Sequence, residues 1–417
     1  MICFSRVALA LFISMIAHLS FAGITDTLPG GVRAFIYRYQ QMKVDGFYDP
    51  NGSAYNYDFS ESLDLNTVAE GLPEVNDLVQ ELEAVEPGIT KDLEFGRFEV
   101  KARADATINA YALAWGISDR VMVVGALPFV QAKVRLDGGY VNYDSLNQVQ
   151  NRLLQIAAGR GDGSDEARVL AQVLGQIPSI SGPELQSYLV DDLGYDPIGD
   201  WSGQGFADMD VYLQYQFHKG TVFKQAMVTG VEVPTGRVED PNSLVDVSFG
   251  NGAYGLYLGH LFDFEPLGTG LNLYTDIRYT TYLPSTRSRR LNSTPGFSIG
   301  TETEETNYQR GGFGRVMVGA DQRILPVLNA YAEYKYERQL QDTYSGSYDD
   351  YDYSILGSGT GSERHKMIFG STFSTVGLYN EGRFPLPFKV RAQYERIFHA
   401  VNADDIEVAY LHFEFYF

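Results

Sequence analysis

Hydrophobic and polar residues alternate with a period of two along much of the chain, most clearly from Phe95 to Trp115. Even positions there are small or apolar, as in Ala102, Ala104 and Ala106, whereas odd positions carry charges of both signs. A period of two indicates a β-strand, because successive side chains of a strand point to opposite faces of the sheet. The alternation exceeds an ordinary strand of roughly 3–10 residues and favours a tilted strand of a transmembrane barrel.

Connections between the alternating segments are short and long in turn. Short turns are expected near 116–119, 218–221, 264–270, 323–326 and 380–386, and long segments at 48–92, 137–204, 237–250, 285–311 and 341–363. Outer-membrane barrels have short periplasmic turns and long outer loops. The pattern therefore predicts an all-β fold, an antiparallel up-and-down transmembrane barrel of about 12 strands, within a range of about 10 to 14.

The loops at 48–92 and 137–204 are unusually long, and parts of them have helical periodicity. Val75 to Val85 and Leu146 to Ile177 are rich in Glu, Gln, Leu and Ala at helical spacing. Long loops in compact proteins are usually functional. We expect these partly helical loops either to fold into the lumen as a constriction or to stand outside it as a cap.

The charged face of the predicted strands is assigned to the lumen, and the apolar face of Ala104 and Ala106 to lipid. The predicted lumen-lining residues are Arg97, Glu99, Lys101, Arg103, Asp105, Lys133, Arg135, Asp208, Asp210, Asp276, Arg278, Glu333, Lys335, Glu337, Lys389, Arg391 and Glu395. Two interpretations of these charges stay open. They pair across strands into a lattice that stiffens the barrel, or they form a charged constriction that screens solutes.

The last predicted strand ends on an aromatic-rich alternation. Leu411, Phe413, Phe415 and Phe417 share one face at period two. This pattern resembles the assembly signal of outer-membrane β-barrels, whose last strand pairs with the first so that no edge stays open. The resemblance implies recognition by the barrel assembly machinery.

The first 22 residues have the pattern of a secretory signal peptide. Arg6 precedes the apolar run Val7 to Leu19, and small residues follow at Ser20 and Ala22. We expect cleavage after Ala22, which leaves 23–417 as a single barrel domain; an uncleaved N-terminal membrane anchor is the alternative. Because only a short segment precedes the first strand, we expect any plug of the lumen to be a folded-in outer loop.

Composition excludes several classes of function. The formal net charge of −21 argues against nucleic acid as a partner. The only cysteine, Cys3, lies in the predicted signal peptide, so the mature chain would contain no disulfide. No phosphate-binding loop, dinucleotide fingerprint, paired-cysteine metal site or His-Glu-x-x-His motif occurs. We therefore predict no catalytic residue, no metal site and no cofactor.

Short motifs in the middle of the chain resemble a bacterial outer-membrane family. They are Gly116-Ile117-Ser118-Asp119-Arg120, Leu127-Pro128-Phe129, Gly205-Phe206-Ala207-Asp208-Met209-Asp210, Val233-Pro234-Thr235-Gly236 and Gly250-Asn251-Gly252. The family comprises transporters linked to aromatic-degradation operons, of the phenol meta-pathway type, and is more distantly similar to the long-chain fatty-acid channel. The resemblance covers about 100–263 and implies uptake of hydrophobic or aromatic compounds.

The leading hypothesis is an outer-membrane channel for passive passage of small molecules, with the small-molecule solute as its partner. The rival is a structural or adhesive barrel that acts through its outer loops, and an outer-membrane hydrolase comes third. In each case we expect the barrel to contact outer-membrane lipid and lipopolysaccharide.

Overall fold

The computed structural model describes residues 23–65, 76–142, 145–159, 164–174, 182–291, 300 and 302–417. The predicted signal peptide lies outside these residues, as do parts of the predicted helical segment Leu146 to Ile177. Contacts divide the chain into two compact units. We call residues 57–102 and 135–199 the loop unit. The remaining described residues, namely 23–56, 103–134 and those from 200 to the end, form the barrel unit.

Most of the chain forms β-strands. The strands are β1 (Arg33–Tyr48), β2 (Ala54–Asn56), β3 (Asp58–Asp64), β4 (Glu94–Ser118), β5 (Val121–Asn142), β6 (Trp201–Phe206), β7 (Met209–Lys219), β8 (Phe223–Val233), β9 (Gly255–Phe264), β10 (Leu271–Tyr282), β11 (Ser285–Leu291), β12 (Glu302–Gln309), β13 (Phe313–Leu325), β14 (Leu328–Gln339), β15 (Thr343–Ser345), β16 (Ser362–Ser374), β17 (Phe388–Val401) and β18 (Ala403–Tyr416).

Helices are shorter and lie between strands. They are α1 (Asn76–Val85), α2 (Ser145–Ala158), α3 (Ser164–Leu174), α4 (Gly182–Ser187), α5 (Ser354–Gly357) and α6 (Val376–Asn380). Within the described ranges, one 3₁₀ turn spans Ile89–Asp92 and one π turn spans Tyr188–Asp192. Among the described residues, no helix is both long and apolar enough to cross a membrane.

Twelve antiparallel strands form one closed barrel, which confirms the predicted fold class. The barrel strands are β1, β4, β5, β7, β8, β9, β10, β13, β14, β16, β17 and β18, and β6 precedes β7 as a second partner of β5. The barrel closes because β1 pairs with β18 on one side and with β4 on the other. Closure leaves neither terminal barrel strand with an unpaired edge.

The two ends of the barrel unit differ in their connections. At one end, which we call the short-turn end, Ser118 and Val121 flank the tight turn between β4 and β5, and both β1 and β18 have their chain-terminal ends there. The opposite end carries the long connections from β8 to β9, from β10 to β13 and from β14 to β16. The exception at that end is the turn between β17 and β18, where Asn402 adopts a left-handed conformation with φ of 49°.

The first and last strands meet through backbone and aromatic contacts. The Arg33 amide donates to the Phe417 carbonyl at 2.8 Å, and the Phe417 amide donates back to Arg33 at 2.9 Å. Phe415 lies opposite Phe35, and Phe413 opposite Tyr37. Three residues of the predicted assembly signal, Leu411, Phe415 and Phe417, are exposed, and Phe413 is half-buried.

Large apolar side chains cover the outer wall of the barrel unit. Leu258 is 55% exposed, Ile277 49%, Val318 44% and Phe369 53%, and most of their neighbours in the strands are buried. A soluble protein rarely exposes so large a continuous apolar surface. This outer wall has the composition of a lipid-facing band.

The loop unit has its own hydrophobic core. Leu82 from α1, Leu153 from α2 and Leu170 from α3 are buried together in it. The Glu83 carboxylate accepts hydrogen bonds from the amides of Gly88 at 2.7 Å and Thr90 at 3.2 Å. The backbone bond from Gly88 and the hydroxyl of Thr90 lower the pKa of Glu83 below its usual value. These bonds fix the chain between α1 and the 3₁₀ turn.

Candidate functional site: the barrel interior

Strand register identifies the inner and outer walls, because residues directly opposite each other in an antiparallel sheet share a face. Ile36 on β1 lies opposite Glu414 on β18 and opposite Ala112 on β4, and all three are buried. Their neighbours Phe35 and Leu113 lie opposite each other and are exposed. The buried set faces the interior, and the exposed set faces outward.

The prediction for β4 and β5 is wrong in its choice of face. Ala104 and Ala132 are buried and face the interior, whereas Arg103, Asp105 and Lys133 are exposed on the outer wall. The other predicted residues of these strands lie in the loop unit: Arg97 is half-buried, and Glu99, Lys101 and Arg135 are exposed.

The error has a physical cause. Strands β4 and β5 are longer than the lipid-facing band, and charges beyond that band lie in a polar environment on the outer wall. A charged face therefore does not identify the lumen by itself. The deciding signal was present in the sequence, since Tyr111, Leu113 and Trp115 continue the same face as Arg103 and are exposed.

The other predicted lumen residues lie inside the barrel. Asp210, Asp276, Arg278, Glu333, Glu337, Lys389 and Glu395 are buried, and Lys335 and Arg391 are half-buried. Asp208 is half-buried between β6 and β7, where it accepts hydrogen bonds from the amides of Gly236 at 2.9 Å and Asn251 at 2.6 Å. Asp208 therefore holds a long connection in place as well as facing inward.

Four of the interior charges form the centre of what we call the ion-pair lattice. The Lys366 ammonium lies 2.8 Å from Glu337 and 3.0 Å from Glu395, and Lys335 lies 2.9 Å from Glu395. The Tyr410 hydroxyl donates to Glu395 at 3.0 Å. A lysine that touches two carboxylates balances charges that would otherwise be costly to bury.

The lattice continues on neighbouring strands. Asp276 accepts from Arg278 at 3.0 Å and from Arg315 at 2.8 Å, and all three side chains are almost fully buried. On β18, the Nε2 of His412 lies 3.0 Å from the Glu414 carboxylate, and the Arg38 guanidinium donates to the Nδ1 of His412 at 3.3 Å. In this conformation the charges pair with each other, as in the first of the two interpretations raised by the sequence.

Apolar side chains, in contrast to the charges of the lattice, line the interior along β4 and β5. We call this surface the apolar strip, and its buried members in the barrel unit are Ala104, Ala106, Ile108, Ala112, Ala114, Met122, Val124, Ala126, Val130, Ala132 and Val134. Most of these side chains are small. A barrel of 12 strands is wider than one of about eight strands, whose interior side chains can fill it. The strip is therefore the part of the interior wall that takes up least space.

The short-turn end of the interior is occupied by residues Gly23 to Leu28, which we call the N-terminal segment. Ile24, Thr25 and Leu28 are at most 5% exposed. Ile24 and Leu28 pack in one apolar cluster with side chains of the barrel wall, including Met122 and Leu261. The expectation that only an outer loop would fill the lumen is wrong, because this short segment folds inward.

Asp263 anchors the N-terminal segment. Its carboxylate accepts from the Thr25 amide at 2.7 Å, the Thr25 hydroxyl at 2.6 Å and the Ile24 amide at 3.2 Å. Asn272 donates to the same carboxylate at 2.8 Å. A second attachment is Gln214, whose amide donates to the Ile24 carbonyl at 3.3 Å.

Sequence reasoning missed several interior residues. They are Arg38, Tyr212, Tyr257, Arg315, Lys366, His412 and Glu414. Two of them had a readable signal, because His412 and Glu414 alternate with the outward aromatic residues of the last strand. Tyr212 and Tyr257 had none, since a tyrosine fits a lipid interface as well as an interior.

Comparisons with known proteins give a fold and little more. No protein-family model matches the chain, and no curated protein matches it either. Among solved structures, the chain is similar to an outer-membrane channel from Pseudomonas putida F1, with a TM-score of 0.51 and 10% identity, over 94% of this chain and 98% of that chain.

Two further solved structures show a weaker likeness. One is the monoaromatic hydrocarbon channel CymD, with a TM-score of 0.34 and 10% identity, over 94% of this chain and 89% of that chain. The other is the transport unit of the autotransporter AIDA-I from Escherichia coli, with a TM-score of 0.39 and 8% identity, over 99% and 95%. The chain shares a barrel fold with the Pseudomonas putida channel.

Proposed function

We propose that this protein is an outer-membrane channel for passive passage of small molecules, and that hydrophobic or aromatic compounds follow the apolar strip. The observation that carries the proposal is the division of the interior into two walls. An ion-pair lattice lines one wall, and the small apolar residues of β4 and β5 line the other. The shared fold with an outer-membrane channel supports the same conclusion.

The apolar strip suits an apolar solute for a direct reason. A path lined by charges would have to lose its own hydration to admit such a solute, whereas a path lined by alanine and valine would not. Lys335, Lys366, Glu337 and Glu395 are already paired with one another at the centre of the lattice, so these groups need no ionic partner from a passing molecule. The solute and the lattice then occupy separate parts of one interior.

The N-terminal segment is the gate in this proposal. It closes the short-turn end through Asp263 and through the apolar contacts of Ile24 and Leu28. Loss of the Asp263 carboxylate would leave the buried donors of Thr25 without an acceptor, at a cost of roughly 1–3 kcal/mol for each group. The segment should then leave the interior more often.

Single-channel conductance in planar bilayers tests the gate. We expect Asp263→Ala to conduct more often than the unaltered protein. A variant that lacks residues 23–28 behind the same signal peptide should conduct continuously. Glu381→Ala is the matched control, because Glu381 is an exposed acid at the short-turn end whose contact is the exposed Arg383. Equal conductance in all four proteins would contradict gating by this segment.

Two alanine substitutions test the route. Ala106→Phe is made in the Asp263→Ala background. Because the phenyl ring fills part of the apolar strip, conductance should fall. An added uncharged aromatic solute should also block the current less than it does in Asp263→Ala alone. Ala392→Phe is the control, because Ala392 is exposed on the outer wall of β17. Similar effects of the two substitutions would contradict passage along the strip.

A second candidate is a structural or adhesive barrel that transports nothing. The paired, buried charges of the lattice favour it, because they fill part of the interior as side chains fill a smaller barrel. This candidate predicts no conductance even after removal of residues 23–28. The same bilayer experiment therefore separates the two functions.

A further inference from the structure

We propose that Lys43, Arg103 and Lys133 form a binding site for the phosphate groups of lipopolysaccharide on the outer wall of the barrel. The inference rests on the proposed outer-membrane location and goes beyond the proposed transport. The three side chains belong to β1, β4 and β5, which are consecutive strands of the barrel, and all three are exposed.

Their height on the barrel fits a lipid phosphate. On β5 the outward apolar residues end at Phe129, whose ring packs edge to face against Phe206 at 5.4 Å. Lys133 lies four residues further toward the long-connection end, and Lys43 lies four residues beyond the outward Tyr39 on β1. Four residues of a strand tilted by about 40° rise roughly 10 Å. That distance places both ammonium groups just outside the hydrocarbon layer, where headgroups lie.

The three cations have no ion pair within 4.0 Å among the described residues, although other outward cations do. On the outer wall Arg396, for example, lies 3.1 Å from Asp405 and 3.4 Å from Glu407. Such exposed pairs are weak but use up a cation. The side chains of Lys43, Arg103 and Lys133 therefore keep their donors for a ligand.

Four acids share this face, namely Asp45 on β1, Asp105 on β4, and Asp405 and Glu407 on β18. Asp105 and Glu407 both lie opposite Lys43 in the register. Arg396 pairs with Asp405 and Glu407, so the four cations and four acids of this face balance. The site therefore depends on the three cations that have no ion pair among the described residues, and not on a net positive charge. The acids also suit a phosphorylated lipid, because divalent cations that accompany such lipids bind carboxylate and phosphate oxygens together.

The spacing suits a ligand with more than one phosphate. Neighbouring strands lie about 4.8 Å apart, so cations on three consecutive strands span roughly 10 Å across the wall. Arg103 offers a planar pair of donors that matches a phosphate, and the two lysines add point charges. An ordinary phospholipid, with a single phosphate, would engage only part of this set.

Lipid binding to the full-length protein in detergent, measured by native mass spectrometry, tests the site. The probes are bisphosphorylated lipid A and the same lipid with both phosphates removed. We expect the first to bind about tenfold more tightly or better, in line with the small contribution of each exposed charge. The triple variant Lys43→Gln, Arg103→Gln, Lys133→Gln should lose this preference.

The matched control is Arg120→Gln with Lys219→Gln, which removes exposed cations at the short-turn end. It should keep the preference for bisphosphorylated lipid A. Equal binding of the two lipids by the unaltered protein would overturn the proposal without any variant. So would an unchanged preference in the triple variant, or equally tight binding of phosphatidylglycerol. None of these results depends on conductance, so the site and the proposed channel can fail separately.

Discussion

The ammonium of Lys366 on β16 lies 3.0 Å from the carboxylate of Glu395 on β17, inside the barrel. Neither residue is close to the other in sequence, and the pair forms only because two strands align within a closed wall. The Lys335 ammonium on β14 lies 2.9 Å from the same carboxylate, so Glu395 forms ion pairs with lysines of two different strands. Buried ion pairs between strands therefore line this part of the barrel interior.

Removal of Lys366 tests the stabilising role of the lattice. Lys366→Met would leave Glu337 and Glu395 with fewer cationic partners, and breaking a buried ion pair on one side costs roughly 3–5 kcal/mol. We expect the free energy of unfolding, measured by urea titration in lipid vesicles, to fall by about that amount. Arg396→Met is the control, because its pairs on the outer wall are exposed and worth at most about 1 kcal/mol. Equal losses would show that the lattice is not desolvated.

The destabilisation caused by an arginine on the outer wall should depend on its depth in the lipid layer. Ile277→Arg places a charge in the middle of the apolar band and should destabilise the barrel by roughly 2–4 kcal/mol. Thr281→Arg changes the same face of the same strand near the long-connection end, where the cost should be about 0–1 kcal/mol. Both are measured by unfolding in lipid vesicles. A cost at Thr281 that matches the cost at Ile277 would contradict the assigned boundary of the band.

The last strand predicts an effect on assembly. Phe417 is 67% exposed at the seam where β18 meets β1. Phe417→Asp should lower the yield of heat-modifiable, membrane-inserted barrel severalfold in cells, because an acid replaces the last aromatic of the assembly pattern. Phe384→Asp is the control, since Phe384 is 37% exposed at the short-turn end but lies outside that pattern. An equal yield from both variants would argue against an assembly role for Phe417.

The loop unit predicts a dependence on pH. Bonds from Gly88 and Thr90 lower the pKa of Glu83, so the folded state holds its proton less tightly than the unfolded state does. The stabilisation is therefore complete above the usual glutamate pKa of about 4.3 and is lost as the pH falls through the lowered value. Hydrogen exchange should show the protection factor of the Gly88 amide falling on acidification.

Two variants in α1 make this test specific. Glu83→Ala should remove the protection of Gly88 at neutral pH and abolish its dependence on acid. Glu81→Ala changes an exposed acid of the same helix and should leave both properties intact. Protection of Gly88 that persists in Glu83→Ala would show that the backbone around it, rather than the carboxylate, holds the turn.

The sequence predicted the closed antiparallel barrel, its twelve strands and the outward face of the last strand. Those features follow from local pattern: a period of two sets the strand, turn residues set the connections, and aromatic residues at alternate positions mark a lipid-facing wall. The interior positions of β10, β14 and β17 could be read in the same way, because their charges alternate with apolar residues at the depth of the lipid band.

Tertiary structure decided what local pattern could not. The faces of β4 and β5 depend on how far each strand extends beyond the lipid. A rule that sends every charge inward places Arg103 inside and Ala104 outside, which is the reverse of the structure. The N-terminal segment was unreadable because its burial depends on Asp263, more than two hundred residues away in the chain. Pairs such as Lys366 with Glu395 depend on the register of closed strands, which only the folded barrel fixes.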